Sequence, residues 1–344
     1  MFLLFPGVMR GQRLLYIVMF LQDIIPSIKE DTMKKVILDC DPGHDDAIAI
    51  MLACASSELE ILGITTVAGN QTGEKTFTNA LKILTLIGED LPVARGFDKP
   101  LFQELVTAPE IHGETGLDGA DLPAPSAKPC EAHAVNFIVE TLLSADDPVY
   151  LVPTGPLTNI AGALLLAPGV KEKIKRIVLM GGGVLESNKT PAAEFNIYVD
   201  PEAAKIVFES GIPITMVGLD ATNKALFSLE DIEALSRLSG KVSTVAARLL
   251  TFYAEQLEKF SGVRGAYLHD PLTVAAVIDP AVLDTRFLHV DIETKGEFTR
   301  GATVVDLYGV TGKKPNAEVS FGLDLSKFKG LVFDAIKRLD ERWA

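Results

Sequence analysis

Short, continuously apolar runs alternate with amphipathic stretches along most of the chain, and this alternation restricts the possible folds more than any other feature. Val36–Cys40, Leu59–Ala68, Val149–Val152, Ile174–Met180 and Ile214–Gly218 read as buried strands. Asp45–Ala55, Thr72–Ile87, Ala132–Leu143, Asn159–Leu166, Pro201–Ser210, Leu229–Leu238 and Ser243–Phe260 read as helices. A strand that is apolar on both sides must be covered on both faces. The pattern therefore predicts an α/β fold: a doubly wound, mostly parallel sheet with helices on both faces, joined by right-handed crossovers. No internal repeat or linker marks a boundary, so residues 33–344 are expected to form a single large domain.

The first 32 residues differ from the rest. Arg10 and Arg13 precede an apolar run, Leu14 to Leu21, that is too short to span a bilayer and lacks a small-x-small cleavage site after it. Met33 then opens Met-Lys-Lys-Val-Ile-Leu-Asp, a natural beginning for a first strand. Residues 1–32 are accordingly expected to be a leader or a mis-assigned start, outside the fold. The formal net charge of −14 disfavours nucleic acid and anionic membrane surfaces as partners and favours a cation or an uncharged substrate. Cys40, Cys54 and Cys130 have no metal-ligand spacing and cannot all pair within one chain, which points to a reducing cytoplasm.

In doubly wound sheets, ligands bind beyond the carboxyl ends of the strands. Polar clusters follow the expected strands here: Asp41 to Asp46, Asn70, Thr154, Met180 with its glycines, and Asp220. The densest holds Asp39, Asp41, Asp45 and Asp46, four carboxylates within eight residues. Such charges repel unless a cation or strong donors neutralise them. A helix dipole accounts for one or two acids at a helix start, not for four. Oxygen ligands on a turn suit a hard cation, Ca²⁺ or Mg²⁺, although the spacing is not that of an EF-hand. Taken singly, the other clusters are weaker signals. His269-Asp270-Pro271 reads as a helix start with Asp270 as N-cap. Glu194-Phe195-Asn196 reads as a polar turn, and Ile111 to Gly119 as an irregular glycine-rich loop.

In combination these segments resemble a known family. Asp41-Pro-Gly-His-Asp-Asp46, Thr66-Val-Ala-Gly-Asn70, Ile111-His-Gly113, Thr154-Gly-Pro-Leu-Thr-Asn159, Met180-Gly-Gly182, Glu194-Phe-Asn196 and His269-Asp-Pro271 follow the order found in the inosine–uridine preferring nucleoside hydrolases. The resemblance runs from Met33 to about Phe333. It implies Ca²⁺-dependent hydrolysis of the N-glycosidic bond of ribonucleosides to ribose and free base, a step in purine or pyrimidine salvage. It further implies Ca²⁺ held by Asp41, both carboxylate oxygens of Asp46, the backbone carbonyl of Thr154, and Asp270. Asp45, Asn70, Glu194, Asn196 and Asp270 would contact ribose, with Met180 packing on the sugar and Phe195 beside them. An ion-activated water would give its proton to Asp41 and attack C1′ through an oxocarbenium-like state. For purines, His269 corresponds to the general acid for the leaving base, and His112 to the second base-facing histidine. Asp39 would hold the turn. His44 receives no role; Tyr253 and Gln256 lie one helical turn apart, within possible reach of the base. A homodimer or homotetramer is implied by the resemblance alone.

Rival readings fit less well. A haloacid dehalogenase phosphatase could share Asp39-Cys40-Asp41, but Gly43 stands where its Thr or Val belongs. A dinucleotide-binding dehydrogenase would need Gly-x-Gly-x-x-Gly after the first strand, and none follows. A ribose- or nucleoside-binding protein without turnover has no evident use for the full acid set Asp41, Asp46 and Asp270. Preference between purines and pyrimidines is not readable from the sequence.

Overall fold

The computed structural model describes residues 33–126 and 129–343. Residues 1–32, for which a leader was expected, lie outside the described residues.

The strands are β1 (Lys34–Cys40), β2 (Leu59–Thr66), β3 (Val93–Arg95), β4 (Pro129–Cys130), β5 (Val149–Pro153), β6 (Ile174–Met180), β7 (Ile214–Val217), β8 (Leu226–Phe227), β9 (Ala266–Tyr267), β10 (Leu283–Ile292), β11 (Thr303–Asp306) and β12 (Ala317–Leu323). Ten of them form one sheet in the order β11-β10-β12-β7-β6-β5-β1-β2-β3-β4, and β8 pairs with β9 separately. From β12 to β4 all neighbours are parallel; β10 runs antiparallel to both β12 and β11. Alternate residues of β1 enter different cores: Val36, Leu38 and Cys40 one, Ile37 the other. That is the two-sided covering the apolar runs require.

The strand order reverses at β1. β2 to β4 build outward on one side and β5 to β7 on the other, with β1 paired to both β2 and β5. The crevice beyond the carboxyl ends of β1 and β5 is therefore the topological switch point, where such sheets bind ligands. The Asp41 to Asp46 segment leaves β1 there, and Thr154 leaves β5.

Two helix starts converge on the same crevice. Helix His44–Ala55 is buried on nearly every side, which explains why its sequence is apolar throughout after the first turn. Helix His269–Ile278 packs against it and begins with His269 and Asp270. The expected N-cap at Asp270 is corrected: Leu268 is the N-cap, so Asp270 sits inside the first turn, with its carboxylate free for other work. Lys34 Nζ donates to the carbonyls of Val277 (2.7 Å) and Ile278 (3.1 Å), satisfying the far end of that helix. Helix Leu325–Glu341, absent from the sequence reading, covers the other side of His44–Ala55.

Candidate active site

Asp41 lies at the tip of β1 and is fully buried. Its Oδ2 accepts from the backbone N–H of Asn70 at 2.6 Å, while Oδ1 is buried with no hydrogen-bond partner among the described residues. Backbone passes very close on two sides. A Cβ added at Gly69 would stand 2.1 Å from Asp41 Oδ2, and one at Gly155 would stand 2.6 Å from Oδ1. Both glycines belong to motifs picked out in the sequence, and this crowding is the physical reason that no side chain fits there.

Asp46, in the first turn of its helix, accepts from Gly43 N (3.0 Å), Asn70 Nδ2 (3.1 Å) and Thr154 Oγ1 (2.8 Å). One carboxylate oxygen from each of Asp45, Asp46 and Asp270 lies within 4.8 Å of the others. Burial pushes all four pKa values up, and neighbouring carboxylates add to the effect at Asp41, Asp45 and Asp270, whereas hydrogen bonds partly offset it at Asp46; Asp45 rises to about 7, and Asp41 and Asp270 rise well above the usual range. Four buried acids cannot all remain ionised without a compensating positive charge. Asp39 is tied elsewhere, accepting from Thr65 Oγ1 (2.5 Å) and Asn159 Nδ2 (2.8 Å), as expected of a residue that holds the turn.

Above the acids opens a cavity of about 450 Å³. Asp45, Asn70, His112, Thr154, Met180, Glu194, Phe195, Asn196, His269 and Asp270 line it. Asp41 and Asp46 lie beneath its floor. The proposed metal and ribose residues, His112 and His269 are thus brought together, from segments separated by more than two hundred positions, whereas Asp220 and Gln256 stay off the cavity. Asn196 Nδ2 donates to the Thr154 carbonyl at 2.8 Å and so fixes the direction of that oxygen. Glu194 caps the short helix Phe195–Val199 and accepts from the backbone N–H groups of Gly182 (2.9 Å), Asn196 (2.9 Å) and Ile197 (3.1 Å). Gly182 adopts φ +74°, a conformation that suits glycine and turns its N–H toward this carboxylate.

The other wall is aromatic and uncharged. His112 stacks on Tyr253 and His44, with ring centroids 5.5 Å away in each case. His44 Nε2 lies 2.8 Å from the Asp118 carbonyl and its Nδ1 3.2 Å from His112 Nδ1. Burial lowers His44 to about 4 and His112 well below its usual value, and raises the Tyr253 phenol, so all three are neutral near pH 7. His269 is also lowered by burial to about 4. The sequence reading expected an imidazole that titrates near neutrality; inside the cleft the ring carries a single proton there. Tyr253 lines the cavity and Gln256 does not. Asn223, Leu257 and Tyr267 on the wall were not singled out from the sequence, since none belongs to one of the recognised motifs.

A switch-point crevice with buried acids below and neutral rings along one side fits a hydrolase acting on an uncharged, hydroxyl-rich substrate that carries a flat ring. Comparison with known proteins makes this specific. Residues 36–330 match the inosine-uridine preferring nucleoside hydrolase family. The chain is similar to the pyrimidine-specific ribonucleoside hydrolase RihA of Shewanella sp. (strain ANA-3), 53% identical over 305 residues that span 88% of this chain and 96% of that one. It is 51% identical to the protein of the same name from Escherichia coli O81 (strain ED1a), over 88% of this chain and 98% of the relative. Among solved structures, the purine-preferring ribonucleoside hydrolase from Gardnerella vaginalis superposes with a TM-score of 0.85 at 34% identity, covering 90% of this chain and all of that one. The chain belongs to the inosine-uridine preferring nucleoside hydrolase family, and it is an enzyme that hydrolyses the N-glycosidic bond of ribonucleosides.

Proposed function

We propose that the enzyme is a Ca²⁺-dependent hydrolase of pyrimidine ribonucleosides, with ribose bound over the acid cluster and the base against the aromatic wall. The observation that carries the reading is the buried, unpartnered Oδ1 of Asp41 beside three further carboxylates. An all-oxygen, acid-rich donor set fits a hard divalent cation, and Ca²⁺ tolerates the irregular geometry better than Mg²⁺. Asp41, Asp46, Asp270 and the Thr154 carbonyl would hold it. Once bound, such an ion supplies positive charge that orients the sugar diol and acidifies a water.

The remaining steps belong to the chain's own residues. Asp45, Asn70, Glu194 and Asn196 orient ribose through its hydroxyls, with Met180 and Phe195 packed on the sugar. Asp41 accepts the proton of the attacking water through Oδ1, since Oδ2 is already engaged by Asn70. Water adds to C1′ as the C1′–N bond breaks, and the bonding pair leaves with the base. The surrounding carboxylates stabilise the positive charge that develops on the sugar. His269 offers its remaining N–H to the departing base, and His112 faces the base from the same aromatic side of the cavity. Pyrimidine preference rests on the relatives at 51–53% identity, which are pyrimidine-specific by name, against a purine-preferring one at 34%. A cytoplasmic homo-oligomer completes the proposal.

The test is a panel of uridine, cytidine, inosine and adenosine, assayed for release of ribose reducing ends. Uridine or cytidine should give the highest kcat/KM. Inosine exceeding both by tenfold would overturn the pyrimidine assignment and leave the hydrolase intact.

A further inference from the structure

Thr222 closes the short helix Leu219–Thr222, and its side chain is fully buried. Its Oγ1 lies 2.7 Å from His269 Nδ1, the sole hydrogen-bond partner of that hydroxyl among the described residues. A buried hydroxyl must place its proton on an acceptor or leave it unsatisfied. The ring nitrogen is the one acceptor on offer. Thr222 therefore donates and Nδ1 accepts, which leaves the ring proton on Nε2. That nitrogen has no hydrogen-bond partner among the described residues, in a side chain that lines the cavity.

From this geometry we infer that Thr222 is a positioning residue which fixes His269 as the tautomer presenting Nε2–H to the leaving base. The inference rests on the proposed role of His269 as donor to that base. With Nδ1 protonated instead, Nε2 would point a lone pair at the negative charge forming on the base and repel it. One hydroxyl thus sets the sign of the interaction at the leaving group. No other residue on the helix Leu219–Thr222 reaches the ring: Asp220 accepts from the backbone N–H of Val184 (2.5 Å) and Leu185 (3.0 Å) instead.

The test combines three variants of the full chain with one spectroscopic measurement. Thr222→Val removes the hydroxyl at nearly constant volume, Thr222→Ser keeps it, and His269→Ala removes the ring. Thr222→Val should lower kcat on uridine by about tenfold to a hundredfold, with KM within about twofold, as happens when the outer partner of a functional histidine is lost. Thr222→Ser should restore most of that loss. Neither should much affect p-nitrophenyl riboside, whose leaving group needs no donor. In the His269→Ala background, Thr222→Val should add nothing. The chain has five histidines, few enough for ¹⁵N spectra of the rings to be assigned. The parent should show an unprotonated Nδ1 and a protonated Nε2 at His269. A protonated Nδ1 in the parent overturns the inference, as do equal losses on both substrates or no rescue by Thr222→Ser. If His269→Ala turns over uridine normally, the role of His269 fails, and the spectrum still decides the tautomer on its own.

Discussion

Beneath the cavity, Asp41, Asp45, Asp46 and Asp270 crowd together carboxylates that cannot all be ionised alone. Along the other side, His112, Tyr253 and His269, with His44 stacked behind the first two, offer rings that burial keeps neutral. The first region needs a partner of opposite charge before it can act, so damage there should be all-or-none. The second works through neutral hydrogen bonds and stacking, each contributing a modest share, so damage there should be graded and should depend on the substrate. Under the proposed reading the first region holds the sugar and the second the base.

The sharpest way to break this contrast is at Asp41. Asp41→Asn retains an oxygen for the Asn70 N–H but removes the charge at the unpartnered position. A loss of at least about a thousandfold in kcat/KM is expected on every nucleoside, with the fold retained by circular dichroism. A loss below tenfold would mean that the charge there is dispensable. Next in size is the substrate-side counterpart. 2′-Deoxyuridine lacks a hydroxyl that the buried polar groups are built to receive, and its kcat/KM should fall about a thousandfold below that of uridine. Comparable values for the two would separate the acid cluster from the sugar.

At the base end the effects should be smaller and selective. His269→Ala should slow uridine about a hundredfold while sparing p-nitrophenyl riboside. Equal losses on the two substrates would make His269 a prop for the neighbouring Asp270 and not a donor. The smallest effect is expected at Gln256, which stands off the cavity although one turn from Tyr253. Gln256→Ala should change kcat/KM for uridine and inosine by less than about twofold. A tenfold change in their ratio would place that side chain at the base after all.

The difference between the two regions also governs how much could be read from sequence. The acid end was legible because parallel strands deliver their carboxyl ends to one crevice. Asp41 after β1, Asn70 beyond β2, Thr154 after β5 and Met180 at the end of β6 each announce themselves beside a strand. Gly69 and Gly155 could be seen in the motifs, but the crowding of Asp41 that explains them requires coordinates. The base end was legible at His112 and His269, through their motifs, and hardly beyond them. Tyr253 sits on a long helix whose apolar stripe would bury a tyrosine in any case, and Thr222 is one hydroxyl in a four-residue helix with no pattern around it. The antiparallel edge was missed for another reason. β10 is largely half-exposed, with Asp284, Arg286, His289 and Asp291 interrupting its apolar residues, so it lacks the continuous run that marked the central strands.

The central claim is that the buried acids exist to hold a cation without which the sugar is not hydrolysed. It is tested most directly by exhaustive chelation of the purified enzyme, elemental analysis, and stepwise return of Ca²⁺ during turnover of uridine. About one Ca²⁺ per chain is expected before chelation, with turnover lost as the ion is removed and regained in proportion to the ion rebound. Undiminished turnover in protein shown to contain no divalent metal would contradict it.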